Sequence, residues 1–148
     1  MPTLLDAAAR DACAARLDRL TADAAPKWGR MSAPQMLAHM NDAFEMAFGE
    51  RTVSMKSLPL ARMFPLKHLI FYVLPFPKNA PTAREIISRA PADFAAERAR
   101  LKQQIERMAP GRERIAYAAH PIFGQLTAKE WGVLGYKHFD HHLRQFGV

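Results

Sequence analysis

Thr127-Ala128-Lys129-Glu130-Trp131-Gly132-Val133-Leu134-Gly135-Tyr136-Lys137-His138-Phe139-Asp140-His141-His142-Leu143-Arg144-Gln145 reads as one helix with its chemistry on one side. Thr127 and Glu130 form a capping box, in which each side chain satisfies a backbone N–H that the first turn leaves without a partner. From there Trp131, Leu134, Gly135, His138, His142 and Gln145 recur at three- and four-residue steps and trace one stripe. Such a stripe has to bury against other helices. His138 and His142 are one turn apart, so their imidazoles are neighbours and can reach one divalent metal ion. A second reading of the same spacing is a pair of hydrogen-bonded core histidines. A buried imidazolium without a partner is costly, whereas a neutral imidazole bound to metal uses its lone pair and donates from its other nitrogen.

The period found there recurs upstream. Leu5, Ala9, Cys13, Leu17 and Leu20 mark a helix over residues 4–20. A connector holding Pro26 and Trp28 follows. Ser32 and Gln35 make a second capping box, Pro34 is tolerated in the first turn, and Gly49 ends the helix after residue 48. Its inward face is Met36, His39, Met40, Ala43, Met46 and Ala47. Six of the eleven prolines then fall between Pro59 and Pro91, which excludes a long helix. A short helix over 61–73, bent or begun near Pro65, and an extended stretch over 74–79 are expected. An apolar connection of this length is expected to cover a core end or a pocket. The third long helix starts near Pro91 and stops before Pro110-Gly111. Phe94, Arg98, Leu101, Ile105 and Met108 lie on one side, with Arg100, Gln103, Glu106 and Arg107 solvated. β-Branched residues are sparse and strand signals weak. The expectation is all-α: a four-helix bundle with a long loop and short-helix crossover between helices two and three, forming one domain over 1–148.

Composition agrees with a globular chain: 49% of the 148 residues are hydrophobic and 24% charged, enough for a proper core. The single cysteine, Cys13, cannot form an internal disulfide and is read as a small packed side chain. The N-terminus lacks the basic and apolar regions of a signal peptide, and the apolar stretch 58–77 is broken by Arg62, Pro65, Lys67, His68 and Pro75. A cytoplasmic protein without a membrane partner is expected. The formal charge is +7, but its basic residues are scattered (among them Arg84, Arg89, Arg112 and Arg114), with no recognition helix. A solvated basic surface is expected rather than nucleic-acid binding, and the charge would favour an anionic small molecule.

His39 shifts the reading of the helix-four pair toward metal, because it too sits in an apolar inward face on another helix. Three histidines with a remaining position for water or substrate are the pattern of reactive rather than structural zinc. His141, rotated about 60° from His138, is expected to flank the site rather than ligate. His68 is expected to pack or face water, and His120 to be a turn residue. No Glu follows His138, so the HExxH general base is absent, as are a phosphate loop and a nucleophile elbow. Asp42, one turn beyond His39, is a candidate base or acceptor. Gln145, one turn beyond His142, is a candidate to hydrogen-bond a ligand or a bound water.

Trp28-Gly29-Arg30-Met31-Ser32, Gln35-Met36-Leu37-Ala38-His39 and His138-x-x-x-His142-x-x-Gln145 resemble the DinB-like superfamily of bacterial metalloenzymes, which includes the bacillithiol- and mycothiol-dependent transferases. The stretch from His120-Pro121-x-Phe123-Gly124 through Trp131-Gly132 to the C-terminus looks like one uncharacterised branch of it. The resemblance covers nearly the whole chain. It implies a four-helix bundle with a zinc or nickel ion on His39, His138 and His142, commonly in a homodimer. It also implies a low-molecular-weight thiol as cosubstrate, activated as thiolate to attack an electrophile. Where the superfamily commonly ends His-Arg-Gly-Gln, this chain has His142-Leu143-Arg144-Gln145, which moves the Arg and leaves the ligands undisturbed. The leading expectation is a metal-dependent thiol transferase or hydrolase acting on a small molecule. The rival is a non-catalytic metal-binding bundle with a structural or partner-binding role. A third reading, a DNA-associated damage-response protein, rests on charge and on the superfamily's name.

Overall fold

The structure is a computed structural model that describes residues 1–54, 59–78, 86, 90–91, 93–111 and 116–148. Leu58, Asn79, Pro81, Arg84, Arg89, Arg112 and Arg114 lie outside the described residues. Among the described residues there are five α-helices, α1 (Ala7–Arg19), α2 (Ala33–Ala47), α3 (Leu66–Tyr72), α4 (Phe94–Arg107) and α5 (Ala128–Gln145), and a 3-10 helix at Pro59–Arg62. Among the described residues there is no strand, only an isolated bridge between His120 and Gly124. The regular structure of the described residues is all-helical. α2 packs on both α4 and α5, α1 packs on α4 and α5, and α3 rests on α5.

The two capping boxes form as read. Ser32 N–H donates to Gln35 Oε1 (2.9 Å), and Thr127 N–H donates to Glu130 Oε2 (2.8 Å). Gly49 follows the end of α2 at φ +75°, a conformation that side chains with a Cβ resist. The core is filled by Leu17, Met36, Leu37, Leu101, Ile105, Phe139 and Leu143, each at most 1% exposed. Burying each such side chain contributes up to about 1.5–3 kcal/mol before chain entropy is counted.

Several boundaries differ from the expectation. α1 begins at Ala7, so Leu5 lies in the turn before it and is half-buried, and Leu4 takes the core position. Leu4 N–H donates to Gly132 O (3.0 Å), which pins the entering chain to α5. Arg10 is buried beside the stripe; its Nη1 donates to Leu4 O and Leu5 O, each at 2.9 Å. α4 starts at Phe94 rather than near Pro91, because Asp93 is the cap and its Oδ1 accepts from Ala96 N–H at 2.8 Å. On the α4 face expected to be solvated, Arg100 and Gln103 are exposed, but Glu106 and Arg107 are half-buried. Glu106 pairs with Arg10 (3.6 Å), and Arg107 reaches Glu50 (2.7 Å) across the Phe48 ring (4.1 Å).

α2 departs furthest from a one-faced amphipathic helix. Held between α4 and α5, it is buried at every position from Met36 to Ala47 except Ala43. Its polar residues are buried in pairs. Asn41 Nδ2 donates to Glu97 O (2.9 Å) and Oε2 (2.8 Å), Arg51 bridges Glu45 (2.8 Å) and Asp42 (3.2 Å), and Arg100 also reaches Glu45. Cys13 is fully buried, and that burial pushes its thiol up to about 11, in keeping with a packed, unreactive side chain.

The crossover is anchored on α5. Lys137 Nζ donates to Ile70 O, Phe71 O (3.3 Å) and Leu74 O (2.7 Å), the free carbonyls at the end of α3. Lys67 pairs with Glu130 (2.6 Å), and Phe71 is buried edge-on against Phe123 (ring centroids 5.0 Å apart). No helix of the described residues is long and apolar enough to cross a membrane.

Candidate metal centre

His39 sits mid-way along α2, and His138 and His142 lie one turn apart on α5, where the two helices pack. Their ring nitrogens converge. His138 Nε2 is 3.0 Å from His39 Nε2 and 3.0 Å from His142 Nε2, and one ligand atom from each residue lies within 4.8 Å of the others. His39 and His142 are buried and His138 is half-buried. The three are close enough to hold a metal ion.

The outer nitrogens fix the tautomers. His39 Nδ1 is 3.0 Å from Ile86 O, and a carbonyl only accepts, so Nδ1 carries the hydrogen. Gln145 Nε2 donates to Trp28 O (2.7 Å), which leaves Gln145 Oε1 to accept from His142 Nδ1–H (2.8 Å). In both rings the Nε2 lone pair therefore faces inward, as it does in metal-bound histidines held from behind.

Electrostatics keep the rings neutral at pH 7. Burial, and then His39, push His142 down to about 3 against the opposing pull of Gln145. Burial, followed by His142 and His39, holds His138 well below the ordinary imidazole range. Burial also lowers His39, opposed by the Ile86 carbonyl and the charge of Asp42.

The donor set fits a cation. Two inward lone pairs meet at His138 Nε2, which offers at most one hydrogen, so hydrogen bonding alone leaves one contact between two lone pairs. Three imidazole nitrogens about 2.0–2.1 Å from a tetrahedral zinc would stand about 3.3 Å apart, a few tenths beyond the 3.0 Å of the two His138 contacts and inside the 4.8 Å that bounds all three.

Around the three lies a collar of rings. Phe76 stacks on His138 (centroids 5.2 Å, planes 10° apart) and also meets His141 at 5.0 Å. Trp28 meets His141 edge-on at 5.6 Å, with Lys78 Nζ 4.8 Å above the indole. His141 is half-buried and lies outside the converging set.

Other histidines lie apart. His68 is exposed and tilts against Tyr72 at 4.8 Å. His120 is more than a surface turn residue: its Nδ1 accepts from Ile122 N–H (3.1 Å) and Phe123 N–H (3.3 Å), it packs on Trp131, and burial lowers it to about 4. Asp42 is buried one turn beyond His39, and its Oδ1 accepts from Arg51. The hydrogen-bond acceptor on His39 is the Ile86 carbonyl. Gln145 hydrogen-bonds both His142 and Trp28 O, and so holds the His142 ring from behind.

Sequence reasoning did not find Ile86, Trp28 as a carbonyl acceptor, or Phe76. Any residue offers a carbonyl, so nothing in the side-chain pattern marks the first two. Phe76 was within reach as an aromatic in an apolar crossover.

No curated protein and no solved structure matches this chain. One family does, described as a protein of unknown function (DUF1569), over residues 2–147.

Proposed function

This chain belongs to the DUF1569 family, and we propose that it is a metal-dependent enzyme in which His39, His138 and His142 hold one divalent ion. The observation that carries this reading is the meeting of three neutral Nε2 atoms, two of them fixed from behind. Three imidazoles suit zinc or nickel. The resemblance to the DinB-like superfamily supports thiol transfer to an electrophile, or hydrolysis, on a small molecule. It also supports a single four-helix-bundle domain over 1–148, a homodimer and a cytoplasmic setting. The paired contacts of α2 with α4 and α5, and of α1 with α4 and α5, are what a bundle requires.

A bound divalent ion supplies Lewis acidity, lowering the pKa of a water or thiol toward neutrality. The chain's own residues set the conditions for that. Ile86 O and Gln145 hold the imidazoles in the ligating tautomer, and burial keeps them unprotonated. Phe76 covers His138 and restricts water, while Lys78 at the Trp28 edge favours an anionic substrate or thiol. His141, between Trp28 and Phe76 and lowered by burial, is the candidate base beside the cluster. Asp42 bears on the site through its charge on His39.

One observation favours a non-catalytic bundle instead: Phe76 lies flat on His138, as it would over a sealed structural ion. Two measurements decide. Untagged protein should carry about one equivalent of zinc or nickel and the His138→Ala variant only a trace; equal traces in both remove the ligand assignment. With metal established, no turnover across a panel of thiols and electrophiles leaves the structural reading.

A further inference from the structure

Exposed apolar surface on this molecule is concentrated in one place. Among the described residues eight large hydrophobics are exposed, and all but Met1 fall within residues 60–74. The most exposed are Phe64 (83%), Leu60 (72%), Val73 (62%) and Met63 (61%). They sit on the 3-10 helix Pro59–Arg62, on α3 and on their joints, which pack together as one unit. The inner side of that unit is already satisfied by Phe71 against Phe123, Lys67 on Glu130 and Lys137 on the α3 carbonyls. The outer apolar residues therefore add nothing to the core, and a cluster of this kind marks a contact surface.

Charge identifies the class of partner. Residues 60–78 contain no Asp or Glu, yet hold Arg62, Lys67 and Lys78, of which Lys67 is paired with Glu130. Arg62, within the apolar unit, and Lys78, four residues past Leu74, are exposed. A second copy on this face would bring like charges together, because a two-fold contact apposes the same patch on each subunit. The apolar residues are mainly Leu, with Val, Met and Phe, whereas the anchors of protein interfaces are chiefly Trp, Tyr and Arg. Aliphatic side chains flanked by cations are what an anionic lipid surface takes up: the chains enter the acyl boundary and the cations stay among the headgroups.

We propose that the Pro59–Arg62 and α3 unit is a peripheral docking surface for anionic membranes, inserting Leu60, Met63, Phe64 and Val73 with Arg62 and Lys78 at the headgroups. This is a contact lying on the bilayer and needs no spanning segment. It also brings the crossover that carries Phe76 over the histidine cluster next to the lipid.

Co-sedimentation of the full chain with vesicles tests it. Vesicles containing phosphatidylglycerol should take up the protein at least about tenfold better than phosphatidylcholine alone, with the difference shrinking as salt rises. Phe64→Glu should lower binding by more than about tenfold, and Arg62→Gln by about fivefold. Both positions are exposed, and unchanged helical circular dichroism will confirm that the variants are folded. Wild-type protein left in the supernatant at low ionic strength overturns the proposal. So does equal uptake by neutral vesicles, or a folded Phe64→Glu variant that binds like the wild type. A wild-type dimer that Phe64→Glu dissociates, with no vesicle binding, assigns the face to a second copy and also overturns it.

Discussion

Replacing Gln145 by Leu tests whether the ligand cluster is positioned from behind. The side chain makes two short contacts at the end of α5: Oε1 on His142 Nδ1–H (2.8 Å) and Nε2 on Trp28 O (2.7 Å). Leu keeps the volume and removes both, leaving a buried N–H and a partly buried carbonyl without that partner. Each such loss costs about 1–3 kcal/mol, so the metal-free protein should lose about 2–6 kcal/mol, or roughly 6–20 °C in Tm. His142, no longer held, can rotate or change tautomer, and losing such an outer partner typically weakens metal binding about 10- to 100-fold. Gln145→Glu separates the two effects. It keeps an acceptor on His142 but places a carboxylate against Trp28 O, so stability should fall while metal affinity stays near or above that of the wild type. The assay is competition against a chromophoric chelator for zinc and nickel, alongside thermal unfolding of the metal-free forms. Zinc and nickel affinities within about twofold of wild type in a folded Gln145→Leu protein would refute the positioning argument, since the expected loss is at least about tenfold.

Gly29 is at φ +79°, and a Cβ there would stand 2.7 Å from Gln145 Nε2, so Gly29→Ala should cost about 1–2 kcal/mol in urea unfolding and weaken metal binding in the same direction as Gln145→Leu. Acid should destabilise through His120: its folded value is about 4 and its unfolded value about 6.5, so below pH 6.5 only the unfolded chain takes up that proton. Stability then falls by about 1.4 kcal/mol per pH unit from 6.5 toward 4, a slope that urea titrations of His120→Asn should show reduced. Zinc or nickel at about 100 times its Kd should stabilise the fold by about 2.7 kcal/mol, and His39→Ala should abolish that gain in thermal scans.

The starts of α2 and α5 and the gathering of three histidines were legible because both depend on side-chain identity at fixed spacing. Ser32 with Gln35 and Thr127 with Glu130 declare their turns, and His138 with His142 can only share a face. His39 stood out because a polar ring inside Met36-Leu37-Ala38 needs a reason. What escaped depends on partners far along the chain. Arg10, Glu97 and Gln104 look like solvated residues until the packing of α1, α2 and α4 buries them. Asp93 was passed over because Pro91 also suits a first turn, and hydrophobicity alone could not tell which side of the crossover faces outward.

α5 carries unrelated partners on consecutive turns. Lys137 closes the end of α3, His138 and His142 complete the cluster, and Gln145 ties down the Trp28 loop. A helix turns by about 100° with every residue, so inserting or deleting one residue between 137 and 145 would swing some of these groups away while leaving others in place. Substitutions can alter this segment one partner at a time, but its length cannot drift. Among descendants of this chain, gaps should collect in the crossover and the connecting loops, and α5 should change by replacement alone. The count of residues between Lys137 and Gln145 is as much a part of the site as the histidines themselves.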